Sequence, residues 1–323
     1  MDLFADCLWL TVGLALLYLG GEWLVKGARE ISLMMGISPL VVGLTVVAFG
    51  TSAPELLVSL KANLLNPPKG DIALGNVVGS NICNIALILG VGAAIRPISV
   101  HRQVIQREMP FLLIISIVFI LLLLDGKIQQ LEGLCLFAAV IAYTAISLRQ
   151  ARRSGPGEQA LKDENKEEPL KTSGKRTLAN IGLLVVGIGA LVIGADRLVL
   201  GGSNIARHFN VPEATIALTI VAFGTSLPEL ATSIVAALRR QGDLILGNAV
   251  GSCIFNVLCV VGLTSSISPL GRTSELQNWD LGVMLAFTLL VFPFVWRDSL
   301  LGRRQGVILL LGYASYVCYL GIR

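Results

Sequence analysis

The sequence predicts an all-α integral membrane protein: ten transmembrane helices arranged as two five-helix repeats of inverted topology. Three observations carry that reading. Of 323 residues, 54% are hydrophobic and only 14% charged, where an ordinary soluble domain carries roughly 25% charged residues. The charges leave ten tracts of the length a bilayer crossing needs, about 20 apolar residues each. And the second half of the chain repeats the first.

The predicted spans are 7–28, 39–60, 71–95, 109–124 and 128–148, then 178–201, 214–238, 243–264, 279–296 and 305–322. The fifth tolerates Glu132 near its start. The first does not read as a cleaved leader: it has no basic n-region, carries Asp2 and Asp6, and continues into charged residues without a small-residue cleavage site.

A shift of 174 residues brings the halves into register. "LGGEWLVKGA" (19–28) faces "IGADRLVLGG" (193–202), and "TVVAFGTSAPELLVS" (45–59) faces "TIVAFGTSLPELATS" (219–233). With two residues fewer in the next loop, "GDIALGNVVGSNICNIALILG" (70–90) faces "GDLILGNAVGSCIFNVLCVVG" (242–262). Five spans is an odd number, so the second half enters the membrane from the opposite side. Inverted repeats of this kind are a recurring plan of secondary transporters, with the binding site near the bilayer midplane where the halves meet. The domains expected are residues 1–149, the first repeat, and 177–323, the second. Between them, 150–176 is charged, lacks aromatic residues and reads as a cytoplasmic linker.

Cytoplasmic loops carry the excess of Lys and Arg. With the N-terminus outside, 18 of the 25 basic residues fall in cytoplasmic loops. Both termini are therefore expected outside, in a multi-pass protein of the cell (inner) membrane.

The duplicated string at 50–55 and 224–229 is unusual for a membrane span. Pro54 and Pro228 each remove a backbone donor and disrupt the bond to a carbonyl one turn earlier. The result is a kinked or broken helix with exposed polar backbone, tolerated at membrane depth only where protein or a watery cavity covers it. Glu55 and Glu229 are ionisable groups inside spans, which suggests function by default. Thr51, Ser52, Thr225 and Ser226 supply hydroxyls beside them. In the next span Asn76, Ser80 and Asn84 share one helical face, as do Asn248, Ser252 and Asn256. Ser80, Asn84, Ser252 and Asn256 read as cation ligands; for Asn76 and Asn248, packing and coordination are equally open. Asn81 faces Cys253 in the repeat, so the repeat does not support it as a ligand. Gly75, Gly79, Gly247 and Gly251 suit close backbone approach. Carboxylate, hydroxyl, amide and carbonyl oxygens are ligands for hard cations such as Na⁺ or Ca²⁺.

Other classes find little support. The six cysteines lie in or beside apolar spans without metal-ligand spacing, and His101 and His208 have no partner pattern. There is no HExxH, nucleophile–base pair or nucleotide-binding loop, so neither an enzyme, a bound cofactor nor a nucleic-acid partner is expected. A channel would need a ring of like elements, which two inverted repeats with broken helices do not supply.

"GTSAPE" with "GNVVGSNICN", and "GTSLPE" with "GNAVGSCIFN", resemble the sodium/calcium exchangers of the calcium/cation antiporter superfamily, in particular their bacterial and archaeal members. The resemblance covers nearly the whole chain. It implies the sodium/calcium exchanger fold, Na⁺ and Ca²⁺ as transported ions, alternating access, and a single chain as the working unit. By the same resemblance Glu55 and Glu229 are the main Ca²⁺ ligands. Thr51, Ser52, Thr225, Ser226, Ser80 and Ser252 form Na⁺ sites with the carbonyls of Ala48 and Ala222, and Asn84 and Asn256 complete the centre. The spans at 7–28 and 178–201 would slide across the other eight, their glycines suiting either sliding or close packing. Many sodium/calcium exchangers pair Asn in the first repeat with Asp in the second; here Asn256 makes both amides. Proton-coupled cation exchangers resemble that pair, so H⁺-coupled exchange through the same glutamates is the alternative.

Overall fold

The computed structural model describes residues 3–66, 68–153, 174–211, 222–272, 276 and 278–322. The first repeat contains α1 (Leu3–Met35), α2 (Pro39–Thr51), α3 (Ala53–Asn63), α4 (Gly70–Ile95), α5 (Val104–Leu122) and α6 (Gln130–Arg153). The second contains α7 (Gly174–His208), α8 (Ala222–Gly224), α9 (Leu227–Leu238), α10 (Gly242–Ile267), α11 (Asn278–Asp298) and α12 (Arg303–Ile322). Among the described residues eight of these helices are long and apolar enough to cross a membrane, or nine if α2 and α3, bent by 41° at the break between them, are taken as one span. The remaining predicted span, 214–238, is represented by α8 and α9; its residues 214–221 lie outside the described residues.

Several helices outrun their apolar tracts. α1 has 33 residues and α7 has 35, because extending a formed helix costs little compared with starting one. Both ends of the expected 150–176 linker are helical, to Arg153 and from Gly174; residues 154–173 lie outside the described residues.

The most apolar window of α10 is 100% buried and that of α4 72%, against 11% for α12. α4 and α10, the repeat-related "GD…GN" helices, therefore form the centre. Leu178, Val185, Leu311 and Trp296 are among the exposed apolar side chains on the periphery, as expected where the surrounding medium is lipid.

Two tiny sheets reveal the inversion. β1 (Ile98–Ser99), after α4, pairs antiparallel with β4 (Leu300–Leu301), between α11 and α12. β2 (Lys127–Ile128), between α5 and α6, pairs with β3 (Leu270–Gly271), after α10. The loop following the third crossing of one repeat thus meets the loop following the fourth crossing of the other, twice. Repeats entering from the same side would place those loops on opposite faces.

Glycines determine how α1 meets α7. A Cβ on Gly13 would stand 2.6 Å from Leu198 N, one on Gly20 2.8 Å from Leu191 N, and one on Gly187 2.8 Å from Leu24 N. Real Cβ atoms do not approach backbone that closely, so these positions accept only glycine at this separation. Of the two uses the sequence allowed for them, the structure therefore shows close packing of α1 against α7. Gly21 of α1 turns instead to α9, where a Cβ would meet Val235 at 3.0 Å.

The outer helices of each repeat carry a matching tie. The Tyr143 hydroxyl on α6 donates to Glu108 Oε2 on α5 at 2.7 Å, and Tyr316 on α12 donates to Asp280 Oδ1 on α11 at 3.1 Å. Gln103 also donates to Glu108, at 3.2 Å.

Candidate functional site

The site begins at the break between α2 and α3. Ser38 caps α2, accepting the Val41 N–H at 3.4 Å, with Pro39 at the first helical position. Helical geometry lapses at Ser52 (φ −81, ψ 7), and Pro54 falls in the first turn of α3, where it costs no helical hydrogen bond. Glu55 falls in the first turn of α3, at the positive end of the helix dipole. The second repeat does the same: Ser226 (φ −88, ψ 4) precedes α9, with Pro228 and Glu229 in its first turn.

Each glutamate is fully buried and reaches the other repeat. Glu55 Oε1 accepts from Ser80 Oγ at 3.2 Å and from Ser226 Oγ at 3.4 Å. Glu229 Oε1 accepts from Ser52 Oγ at 3.3 Å. The Ser80 and Ser226 hydroxyls are themselves 3.1 Å apart, and Thr51 Oγ1 lies 3.5 Å from Ser252 Oγ. All four segments named in the sequence converge here.

Asn76 and Asn248, left open by the sequence, act as braces. Asn76 Nδ2 donates to the Glu55 carbonyl and to Ser59 Oγ, each at 3.1 Å, while its Oδ1 accepts from Thr225 Oγ1 at 3.2 Å. Asn248 Nδ2 donates to the Glu229 carbonyl and Ser233 Oγ, each at 3.4 Å, and its Oδ1 accepts from Thr51 Oγ1 at 3.0 Å. The two threonine hydroxyls are thus engaged in ties between repeats. The Ala48 carbonyl accepts the Ser52 N–H at 3.0 Å and lies 3.4 Å from Thr51 Oγ1. Ala222 opens α8.

Asn84 and Asn256 sit in widened helix. π-helical stretches run over Cys83–Ile88 and Asn256–Val261, at repeat-related positions that include Asn84 and Asn256. Such single-turn insertions favour functional sites. Gly247 and Gly251 of α10 admit α2: Cβ atoms there would stand 2.6 Å from Leu40 O and 2.8 Å from Ala48 Cβ. The repeat equivalents of residues 40–48 are 214–222, of which 214–221 lie outside the described residues.

Five buried polar atoms at this centre have no hydrogen-bond partner among the described residues: Glu55 Oε2, Glu229 Oε2, Asn84 Oδ1 and Nδ2, and Asn256 Oδ1. Buried polar groups are nearly always satisfied, and each exception needs an explanation. Four of these five are oxygens, two of them carboxylate, which is the donor set of a hard cation. Among the described residues no cluster of three or more His, Cys, Asp or Glu side chains could hold a metal. What the described residues gather here is two carboxylates among neutral hydroxyl and amide groups.

Sequence reasoning did not identify Ser59, Ser233 or Asn81 as supports. Ser59 and Ser233 carry a signal, since they end the matched strings "LLVS" and "LATS" four residues after each glutamate. Asn81 carries none in the repeat.

Comparison with known proteins identifies the family. The family model described as sodium/calcium exchanger protein matches residues 6–149 and 179–321. The chain is 36% identical to the putative antiporter CaxA of Alkalimonas amylolytica, over 96% of each chain. It is 36% identical to the inner membrane protein YrbG of Escherichia coli, over 96% of this chain and 95% of that one. Identity to the sodium/calcium exchanger MaX1 of Methanosarcina acetivorans is 30%, over 96% of this chain and 97% of that one. Among solved structures, the sodium-calcium exchanger NCX_Mj superposes with a TM-score of 0.83 at 32% identity, covering 98% of this chain and 99% of the other. The chain belongs to the sodium/calcium exchanger family and is a multi-pass membrane cation exchanger of that family.

Proposed function

We propose that the protein exchanges Na⁺ for Ca²⁺ across the cell membrane by alternating access, with Glu55 and Glu229 as the shared Ca²⁺ ligands. The observation that carries this is the pair of buried carboxylates, each with one oxygen held by serine of the opposite repeat and one left unbonded. Two ionised carboxylates balance one Ca²⁺. Asn84 and Asn256 add amide oxygens, and the hydroxyls of Ser52, Ser80, Ser226, Ser252, Thr51 and Thr225, with the carbonyls of Ala48 and Ala222, serve Na⁺ around the centre. When a cation leaves, those hydroxyls have one another and the carboxylates to bond with.

The α1–α7 pair moves as one body across the remaining helices and exposes the site to either face in turn. The glycine packing supports this division: it joins α1 to α7 at backbone contact. A single chain performs the cycle, with both termini outside and the 150–176 linker in the cytoplasm. A Cys introduced by Gln159→Cys, on a background lacking native cysteines, is then labelled by an impermeant thiol reagent only after the cell is opened; labelling of intact cells reverses the orientation.

A second reading is supported by one observation. Both Asn84 and Asn256 are neutral amides, as in proton-coupled exchangers, so H⁺ is the alternative coupling ion at the same glutamates. Reconstituted liposomes separate the two. Ca²⁺ uptake under an outward Na⁺ gradient at equal pH on both sides is the expected result. Uptake under an outward H⁺ gradient alone, with none under Na⁺, moves the protein to the proton-coupled reading.

A further inference from the structure

Asn81 lies three residues before Asn84 on α4, and the repeat places it opposite Cys253, so the two halves differ at one position beside the site. It is buried. Its Oδ1 accepts from Asn256 Nδ2 at 3.0 Å. Its own Nδ2 is 3.5 Å from the Cys253 carbonyl oxygen and 3.9 Å from Met284 Sδ, both acceptors. The Cys253 thiol is 3.7 Å from the Asn81 carbonyl oxygen.

These contacts fix the direction of two amides. An amide presents one acceptor oxygen and one donor nitrogen, assigned from the surrounding network. If Asn81 turned over, its oxygen would face the Cys253 carbonyl and its NH₂ would face that of Asn256. Both contacts would become repulsive. Asn256 therefore keeps its nitrogen toward Asn81, and its oxygen is left without a partner among the described residues. At the equivalent place near Asn84 stands Cys253, and neither amide atom of Asn84 has a hydrogen-bond partner among the described residues.

We infer that Asn81 is a positioning residue: it holds Asn256 with the amide oxygen presented to the transported cation, and it selects an amide over a carboxylate at that position. The selection follows from charge. An ionised carboxylate at 256 has no donor to offer and would set an oxygen against Asn81 Oδ1. The cage is then unequal: the amide of Asn256 on the second repeat is fixed by Asn81 of the first, whereas the amide of Asn84 on the first repeat has no such hydrogen bond among the described residues. This inference rests on the proposed role of the site in binding Ca²⁺.

Equilibrium binding of radiolabelled Ca²⁺ to the purified full-length protein tests it without reference to the coupling ion. Asn81→Leu keeps the volume and removes the hydrogen bonds; loss of such a supporting contact weakens metal affinity about tenfold or more. In an Asn256→Ala background, which itself binds more weakly, Asn81→Leu should have no further effect, because the group it orients is gone. A merely structural role would cost the same again in that background. The inference is overturned by that additivity, by unchanged binding of Asn81→Leu, or by unchanged binding of Asn256→Ala. Should Asn81→Leu not fold, Asn81→Cys, which installs the residue the other repeat carries, enters the same cycle with the same expectation. Wild-type protein that binds Ca²⁺ insensitively to Glu55→Gln, or not at all, overturns both this inference and the proposed function. Binding that depends on Glu55 but not on Asn81 overturns only the inference.

Discussion

The hydroxyl of Ser52 donates across the repeat boundary to the carboxylate of Glu229, 3.3 Å away. Ser226 makes the reciprocal bond to Glu55 at 3.4 Å. Each carboxylate therefore takes a donor from the half of the molecule that does not carry it, Glu55 accepting as well from Ser80 of its own half at 3.2 Å. Ser52→Ala and Ser226→Ala are expected to raise the KM for Ca²⁺ by about tenfold, the loss of one hydrogen bond to a charged group, with a smaller change in maximal rate. Transport kinetics in liposomes measure this; an unchanged KM in both variants would mean that the serines do not orient the ligands.

The braces predict a different signature. Asn76→Ala and Asn248→Ala each remove two donated bonds under a glutamate and one acceptor for a threonine of the other repeat. The stability loss should be about 1–3 kcal/mol each, read as earlier thermal unfolding in detergent. Thr51→Val and Thr225→Val should give a smaller loss of the same kind, since only one partner of each brace is removed.

The α1–α7 contact predicts a position-specific pattern. Gly20→Leu and Gly187→Leu force side-chain atoms into backbone 2.8 Å from the Cβ position, so the helices must separate. Overpacking of this kind costs about 1–3 kcal/mol or more, and transport should fall with it. Gly182 is half-buried on α7, with no atom within 4 Å of its Cβ position among the described residues. Gly182→Ala should leave stability unchanged or slightly raised, since alanine favours helix.

The repeat-related ties on the outer helices should matter for stability. Tyr143→Phe leaves the buried Glu108 carboxylate without its 2.7 Å donor. Glu108 keeps Gln103 at 3.2 Å and Arg107 at 3.8 Å on its other oxygen, so the cost is that of one buried acceptor left unsatisfied, about 1–3 kcal/mol, again visible in thermal unfolding. Ca²⁺ affinity should not change, because neither Glu108 nor Tyr143 contributes an unbonded atom to the centre; altered affinity with unaltered stability would contradict this.

What the sequence revealed depended on symmetry and polarity. Glu55 and Glu229 were visible because charge in an apolar span is costly, and the helix break because Pro54 and Pro228 repeat beside them. The inverted plan followed from counting five spans, and the β1–β4 and β2–β3 pairings bear it out. The braces at Asn76 and Asn248 were only half visible: helical spacing shows which face a residue is on but not what stands opposite. Asn81 was set aside because the repeat does not preserve it. Symmetry selects what both halves share and conceals what makes them unequal. The π-helical stretches at Asn84 and Asn256 have no signature in residue type, being a property of backbone hydrogen bonding. The glycines of α1 and α7 were evident, but their partner was not, since small residues permit close approach to any neighbour.

The central claim is that one cation site is formed by two carboxylates, one from each repeat. Ca²⁺ uptake by liposomes containing Glu55→Gln or Glu229→Gln tests it most directly, with folding checked by monodispersity and thermal unfolding. Glutamine keeps the shape and most hydrogen bonds of glutamate but removes its charge. The account predicts that either substitution alone abolishes uptake in a folded protein. Uptake that persists at wild-type rate in either variant would contradict it.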